Sequence, residues 1–200
     1  MSSDNKLVLA SANPGKIKEL QQMLDSLGIQ VIPQTELDIP DIEETGLSFV
    51  ENSILKARNA TALSGLPAIA DDSGLEVDYL KGAPGIYSAR FAGADATDVS
   101  NRDKLLELLA SVPTGQRTAR YQTVVVYMRH ANDSTPIICQ GSWEGSIATD
   151  EKGDGGFGYD PLFIVSETNC RAAELDKETK NRLSHRGKAM ANLLQKLQTS

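Results

Sequence analysis

Three observations predict an α/β fold. Over residues 6–70, short apolar, β-rich runs alternate with segments of helical period. Two long β-rich runs, at 117–129 and 137–145, flank the turn Ala131-Asn132-Asp133-Ser134 and read as an antiparallel pair. From Ala172 onward the pattern is helical.

Composition narrows the class. With 200 residues, 40% of them hydrophobic, the chain has material for a sizeable core in one compact domain or two intimate lobes. No apolar run reaches membrane-spanning length, and Met1-Ser2-Ser3-Asp4 has no signal-peptide character, so the expectation is a soluble, cytoplasmic protein with no membrane partner. Cys139 and Cys170 lie in no metal-ligand spacing and read as reduced thiols. A formal net charge of −7 argues against nucleic acid, which needs a broad basic surface. It still allows a small polyanion held by a few well-placed cations.

Lys6-Leu7-Val8-Leu9-Ala10 reads as the first buried strand, followed by Ser11-Ala12-Asn13-Pro14-Gly15-Lys16 and a helix through about Leu27. Asn13 suits the N-cap and Pro14 the first helical position, while Ile17, Leu20, Leu24 and Leu27 share a face and Gly28 ends it. Free amides at such a helix start, with the dipole and the charge of Lys16, suit an anion. The upstream glycine of a Walker A loop is missing.

A second strand, about Gln30–Pro33, leads to an acidic loop, Asp38 to Glu44. Ser48-Phe49-Val50-Glu51 matches a capping box opening a helix to about Leu63, with Val50, Ile54, Ala57 and Thr61 inward. Lys56 lies off that series, facing either a ligand or solvent. Glu43 and Glu44 ahead of the helix suit a metal ligand or simply the helix dipole.

Ala68-Ile69-Ala70-Asp71-Asp72-Ser73-Gly74-Leu75 is the stretch around which the chain is organised. A buried strand ends in two adjacent carboxylates, which are costly unless solvated, hydrogen-bonded or bound to a cation. Asp-Asp-Ser-Gly is also good turn chemistry. Beyond it, Leu75, Val77 and Tyr79 alternate with polar neighbours as the second strand of a hairpin-like unit. A helix to about Ser111 places Leu105, Leu108 and Leu109 inward, and Trp143 on the later strand reads as packing; His130 has no assigned role.

Gly153-Asp154-Gly155-Gly156-Phe157-Gly158-Tyr159-Asp160-Pro161 surrounds one phenylalanine with glycines. Phe157 is either a stacking platform for a base or a core residue under a surface loop. Ser184 caps a final helix with Met190, Leu193, Leu194 and Leu197 inward. His185 and Arg186 oppose the dipole at its start, which suggests an anion or carbonyl acceptor there.

Carboxylates suited to Mg²⁺, cations suited to phosphates and an aromatic suited to a base describe metal-assisted phosphoryl chemistry on a nucleotide. No Ser/His/Asp or Cys/His arrangement is apparent, so water is the expected nucleophile.

The chain resembles the inosine triphosphate pyrophosphatase family, most closely its bacterial dITP/XTP pyrophosphatase branch. The motifs that carry the resemblance run in order along nearly the whole chain: residues 11–16, Ser48-Phe49-Val50-Glu51-Asn52 through Lys56-Ala57-Arg58, and Ala70 to Leu75; then Gly82 to Arg90, Gly156 to Pro161, and Ser184-His185-Arg186-Gly187. The resemblance implies an elongated mixed β-sheet flanked by helices, a single domain of two lobes with a central nucleotide-binding cleft, and a homodimer. It implies Mg²⁺-dependent cleavage of a purine nucleoside triphosphate to monophosphate and pyrophosphate. Carried over by position, Ser11, Ala12, Asn13, Pro14, Gly15 and Lys16 bind the triphosphate, and Glu44 and Asp72 serve the metal. Asp72 is also the general base. Lys56 and Ser73 contact substrate, and Phe157, Gly158, Tyr159, Asp160, Lys180, His185 and Arg186 bind base and phosphates. Ser11 stands where the family usually has Thr, keeping the hydroxyl without the methyl. The rival readings are a Maf-like pyrophosphatase of modified pyrimidine nucleotides and a nucleotide-binding regulator without turnover.

Overall fold

The computed structural model describes residues 6–11, 14–25 and 28–199. Its elements are β1 (Lys6–Leu9), α1 (Pro14–Leu24), β2 (Gln30–Pro33), α2 (Phe49–Ser64), β3 (Ala68–Val77) and α3 (Asp98–Leu108), followed by β4 (Thr118–Met128), β5 (Ile137–Ile147), β6 (Phe163–Val165), α4 (Lys177–Leu183) and α5 (His185–Thr199). Six strands form one open sheet in the order β2-β1-β3-β4-β5-β6. β1 runs parallel to both β2 and β3, with Leu7 opposite Val31 and Val8 opposite Ala68, whereas β5 and β6 are antiparallel. The sheet is therefore mixed, as expected. Among the described residues no helix is long and apolar enough to cross a membrane.

The chain divides into two compact units, and β3, β4 and β5 each contribute residues to both. The first unit holds the residues up to Asp72, Val124–Gln140 and those from Ala189. Its strands are apolar on both sides, as a sheet covered on both faces requires. Leu7, Leu9, Ile69 and Val125 join a core with Leu20 and Leu24 of α1 and Leu193 of α5. Their strand neighbours Val8, Ala68, Ala70, Val124 and Val126 pack with Ala57 and Ala60 of α2, because successive side chains leave a strand on opposite faces. Thr61 is buried with that face, as the helical period predicted.

The second unit holds Ser73–Thr123 and Gly141–Lys188. Trp143 is fully buried with Phe163, Leu105, Leu109 and Leu162, which bears out its reading as packing. Arg117, only 4% exposed, donates to the carbonyls of Leu109, Val112 and Ala148, so a buried guanidinium closes the chain after α3.

Three details differ from the sequence expectation. Asp71-Asp72-Ser73-Gly74 is the middle of a ten-residue strand and makes no turn. β3 lies between β1 and β4 in the sheet, with β1 pairing only at Ala68 and Ile69, and strand formation overrides the local turn preference of those residues. Gly74 instead admits a neighbouring segment, since a Cβ there would lie 2.2 Å from the Gly85 carbonyl oxygen. The strand ends at Val77; Asp78–Leu80 is a 3₁₀ turn, which leaves Tyr79 exposed and outside any strand. Leu108 is also exposed, because it falls outside the stripe made by Leu105, Leu109 and Val112. The expected N-cap Asn13 and helix residue Leu27 lie outside the described residues.

Candidate active site

In the first unit, β1 delivers Ser11 to the approach to α1, and Lys16 stands in the first turn of that helix. Lys16 Nζ lies 2.6 Å from Asp71 Oδ2. A cavity of about 340 Å³ is lined by Ser11, Lys16, Asp41, Glu44, Lys56 and Asp71, among others. Of the residues assigned to the triphosphate, Ala12 and Asn13 lie outside the described residues, and Pro14 and Gly15 form the start of α1.

Asp71 and Asp72 are adjacent on a strand, so their side chains diverge. Asp71 pairs with Lys16, while Asp72 Oδ1 lies 3.5 Å from Lys56 Nζ and Asp72 Oδ2 accepts from Asn52 Nδ2 at 3.1 Å. Lys56 also donates to Glu44 Oε1 at 2.7 Å. It therefore faces carboxylates, not bulk solvent. Burial opposes the charge of Lys56, yet Asp72, Glu44 and Asp71 together hold its pKa above the usual lysine value.

Local sequence sets this geometry. The Ser48 side chain accepts from Glu51 N, and Glu51 Oε2 in turn accepts from Ser48 Oγ and Leu47 N. The Ser48 hydroxyl and the Leu47 amide hold the Glu51 carboxyl below its usual range. This cap fixes where α2 begins, and hence the face on which Asn52 and Lys56, one turn apart, both reach Asp72.

Glu44 and Asp72 are hard oxygen donors that share one ammonium, so a cation already occupies the space between them. Among the described residues no group of three or more His, Cys, Asp or Glu is placed to hold a metal. Mg²⁺ does not require one: it commonly binds one or two carboxylates and completes its shell with water and substrate phosphate oxygens. The donor set fits that ion.

In the second unit, Ser73 Oγ lies 2.7 Å from Thr123 Oγ1. Phe157 is 61% exposed, so it is not a core residue. Its backbone N–H donates to Asp160 Oδ2 at 3.0 Å, and Lys180 Nζ reaches the same oxygen at 2.5 Å while lying 5.5 Å from the Phe157 ring centre. Asp160, buried, accepts on its other oxygen from the Tyr121 hydroxyl. Burial first, and then the Asp160 charge, push the Tyr121 pKa well above its usual value. Gly156, at φ +79°, has no room for a side chain: a Cβ would sit 2.1 Å from Asp160 Oδ2 and 2.7 Å from Lys180 Nζ.

The rest of the loop is anchored by its backbone and by Tyr159. Gly158 N donates to Asp98 and its carbonyl accepts from Arg102. Tyr159 is 4% exposed and donates its hydroxyl to the Ser88 carbonyl, so this side chain holds the loop to the core. His185 opens α5 and stacks on Tyr121, the rings 4.9 Å apart and 8° from parallel. Ser184 caps that helix start by accepting from Gly187 N, and Gly187 packs so closely that a Cβ would meet the Asn181 carbonyl oxygen at 1.6 Å. Arg186 beside it is half-buried.

Asn52, Tyr121 and Thr123 carry this geometry without having been assigned a role in the sequence. Asn52 had a readable signal, a polar residue inside a helix one turn before a lysine. Tyr121 and Thr123 had none, since a strand position looks alike whichever neighbours its side chain meets.

A profile of the Ham1 family matches residues 7–196. The dITP/XTP pyrophosphatase of Vibrio parahaemolyticus is 55% identical over 192 residues, which cover 96% of each chain. That of Escherichia coli O157:H7 is 56% identical over 192 residues, 96% of this chain and 98% of its own. The solved structure of a HAM1 protein from Coxiella burnetii superposes with a TM-score of 0.94 at 49% identity, covering 98% of this chain and 99% of its own. A match over nearly the full length, in sequence and in fold, places the chain in the Ham1 family.

Proposed function

We propose that this chain is a nucleoside triphosphate pyrophosphatase that hydrolyses non-standard purine nucleotides, dITP/ITP and XTP/dXTP, to the monophosphate and pyrophosphate. The observation that carries the reading is the paired cluster Lys16–Asp71 and Glu44–Lys56–Asp72, in a chain whose relatives are named dITP/XTP pyrophosphatases. Such a cluster suits a polyphosphate together with a divalent cation better than it suits a neutral ligand.

In this reading Ser11 to Lys16 bind the triphosphate through helix-start amides and the Lys16 ammonium. Lys56 exchanges a carboxylate for a phosphate oxygen when substrate enters. Glu44 and Asp72 hold Mg²⁺, which supplies positive charge against the phosphoryl oxygens. Asp72 takes the proton from the attacking water, and Ser73 donates to substrate. Phe157 stacks on the base, with Gly158, Tyr159, Asp160 and Lys180 forming the loop around it, and His185 and Arg186 donate to the purine C6 oxygen. The protein acts in the cytoplasm as a homodimer.

The test is hydrolysis of a nucleotide panel with product identification, with Mg²⁺ and then with excess chelator. Inosine and xanthine triphosphates should give monophosphate and intact pyrophosphate, and chelator should abolish turnover. Stepwise release of inorganic phosphate would sink the reading. Preference for modified pyrimidine nucleotides would indicate Maf-like activity, and binding without turnover a regulator.

A further inference from the structure

Asn52 is fully buried in the first turns of α2. Asparagine is a poor helix former, and burying a primary amide is unfavourable unless its groups are hydrogen-bonded. A small apolar residue would serve helix and core better, so stability of α2 does not account for Asn52.

Its two ends are committed to different segments. Asn52 Oδ1 accepts from Gly46 N at 2.9 Å, and Nδ2 donates to Asp72 Oδ2 at 3.1 Å. The Gly46 N–H can only donate, so the amide oxygen must face Gly46 and the NH₂ must face Asp72. Gly46 permits this close approach, because a Cβ there would lie 2.6 Å from both Asn52 Oδ1 and Glu51 Cβ. Lys56, one turn along the same helix, repeats the arrangement: it contacts Glu44 at 2.7 Å and Asp72 Oδ1 at 3.5 Å. Asn52 and Lys56 therefore both join the segment ahead of α2 to Asp72. Lys56 must give up its contacts if substrate or metal enters, but Asn52, being neutral and out of the cavity lining, keeps its own.

The geometry points to Asn52 as a positioning residue, resting on the reading that Glu44 and Asp72 serve a divalent cation. It holds the Glu44-bearing loop at a fixed distance from Asp72 and orients the Asp72 carboxylate through Oδ2. Outer hydrogen bonds of this kind orient metal-binding carboxylates, and their loss typically lowers affinity or activity about 10–100-fold.

The experiment uses the full chain with Asn52→Leu, which is close in shape, and Asn52→Ala. Mn²⁺ binding without nucleotide is measured by calorimetry, Tm by thermal unfolding, and kcat and KM with ITP. We expect Mn²⁺ affinity and kcat to fall about 10–100-fold, KM to stay within about threefold, and Asn52→Leu to keep Tm near wild type. Gly46→Ala, which leaves Asn52 in place and crowds its Oδ1 together with the Glu51 Cβ, should give the same loss with Tm near wild type. The inference is overturned if folded variants keep Mn²⁺ affinity and kcat within about threefold of wild type, if the loss only tracks Tm, or if the wild type binds no Mn²⁺. Should the Asn52 variants fail to fold, Gly46→Ala decides alone, and wild-type Mn²⁺ affinity in it overturns the inference. A wild type that binds Mn²⁺ through this bridge but hydrolyses no nucleotide defeats the proposed activity and leaves the role of Asn52 standing.

Discussion

Lys56 bonds Glu44 at 2.7 Å across twelve positions of sequence, with its ammonium also 3.5 Å from Asp72. Its pKa is held above the usual lysine value despite burial, so it stays charged at neutral pH and competes with any metal for the same carboxylates. Lys56→Met should tighten Mn²⁺ binding in the absence of nucleotide by about tenfold or more, given the size of a nearby charge–charge interaction in a partly buried site. Calorimetric titration of both proteins checks this, and equal affinities would remove Lys56 from the metal site.

Asp72→Asn keeps the shape of the side chain but removes its charge. Loss of a general base alone is worth roughly 10²–10⁴-fold, and loss of a metal ligand adds to it. Lys56 keeps Glu44 as a partner and Asp71 keeps Lys16, so Tm should move little. Steady-state hydrolysis of ITP beside a thermal melt separates the two effects; turnover near wild type would exclude Asp72 from the chemistry.

Gly156→Ala introduces a methyl 2.1 Å from Asp160 Oδ2 at a backbone angle that side chains resist. The methyl would also lie 2.7 Å from Lys180 Nζ, so the Asp160 carboxylate must shift, disturbing its bonds to the Phe157 N–H and to Lys180. Strain of this kind is worth about 1–3 kcal/mol. A lowered Tm is expected, together with a kcat/KM for ITP reduced by about tenfold or more, the usual consequence of losing a hydrogen bond to a charged group. An unaltered kcat/KM would separate this loop from substrate recognition.

Asp133 anchors the β4–β5 connection, accepting from Arg129 Nε at 2.8 Å, from one terminal nitrogen of Arg129 at 2.7 Å and from the Thr135 amide at 3.0 Å. The Arg129 guanidinium foremost, with the Arg129 and Thr135 amides, holds its carboxyl far below the usual range against the opposing effect of burial. A carboxylate lowered on folding contributes stability that is complete above its unfolded pKa, about 3.9, and lost as pH falls toward the folded value. Asp133→Asn should therefore melt earlier than wild type at pH 7, and the gap should close below about pH 4. Melts from pH 7 to pH 2.5 test the sign, and a gap that widens in acid would contradict it.

Arg186→Ala tests base selection. A donor facing the purine C6 position favours the oxygen of hypoxanthine over the amino group of adenine, and an unpaired buried donor costs about 1–3 kcal/mol. ITP turnover should fall far more than residual ATP turnover, compressing the kcat/KM ratio about tenfold or more. An equal fall in both would make Arg186 a phosphate clamp.

The sequence by itself determined the local elements and the chemistry they could carry. Period and capping residues placed α2, because the Ser48 cap and the apolar face of Ala57 and Thr61 are properties of neighbours on one helix. Motif order was enough for the family, and the glycine-rich run around Phe157 already indicated close backbone approach. What the sequence left open was partnership. Whether Asp71-Asp72-Ser73-Gly74 turned or ran straight depended on the sheet around β3, whose neighbour β4 lies far away along the chain. Lys16 is 55 positions from Asp71 and Asn52 is 20 from Asp72. Only folding brings such pairs within hydrogen-bond distance, and only then do burial and paired charge set which lysine faces a carboxylate and which oxygen of Asp72 accepts from Asn52.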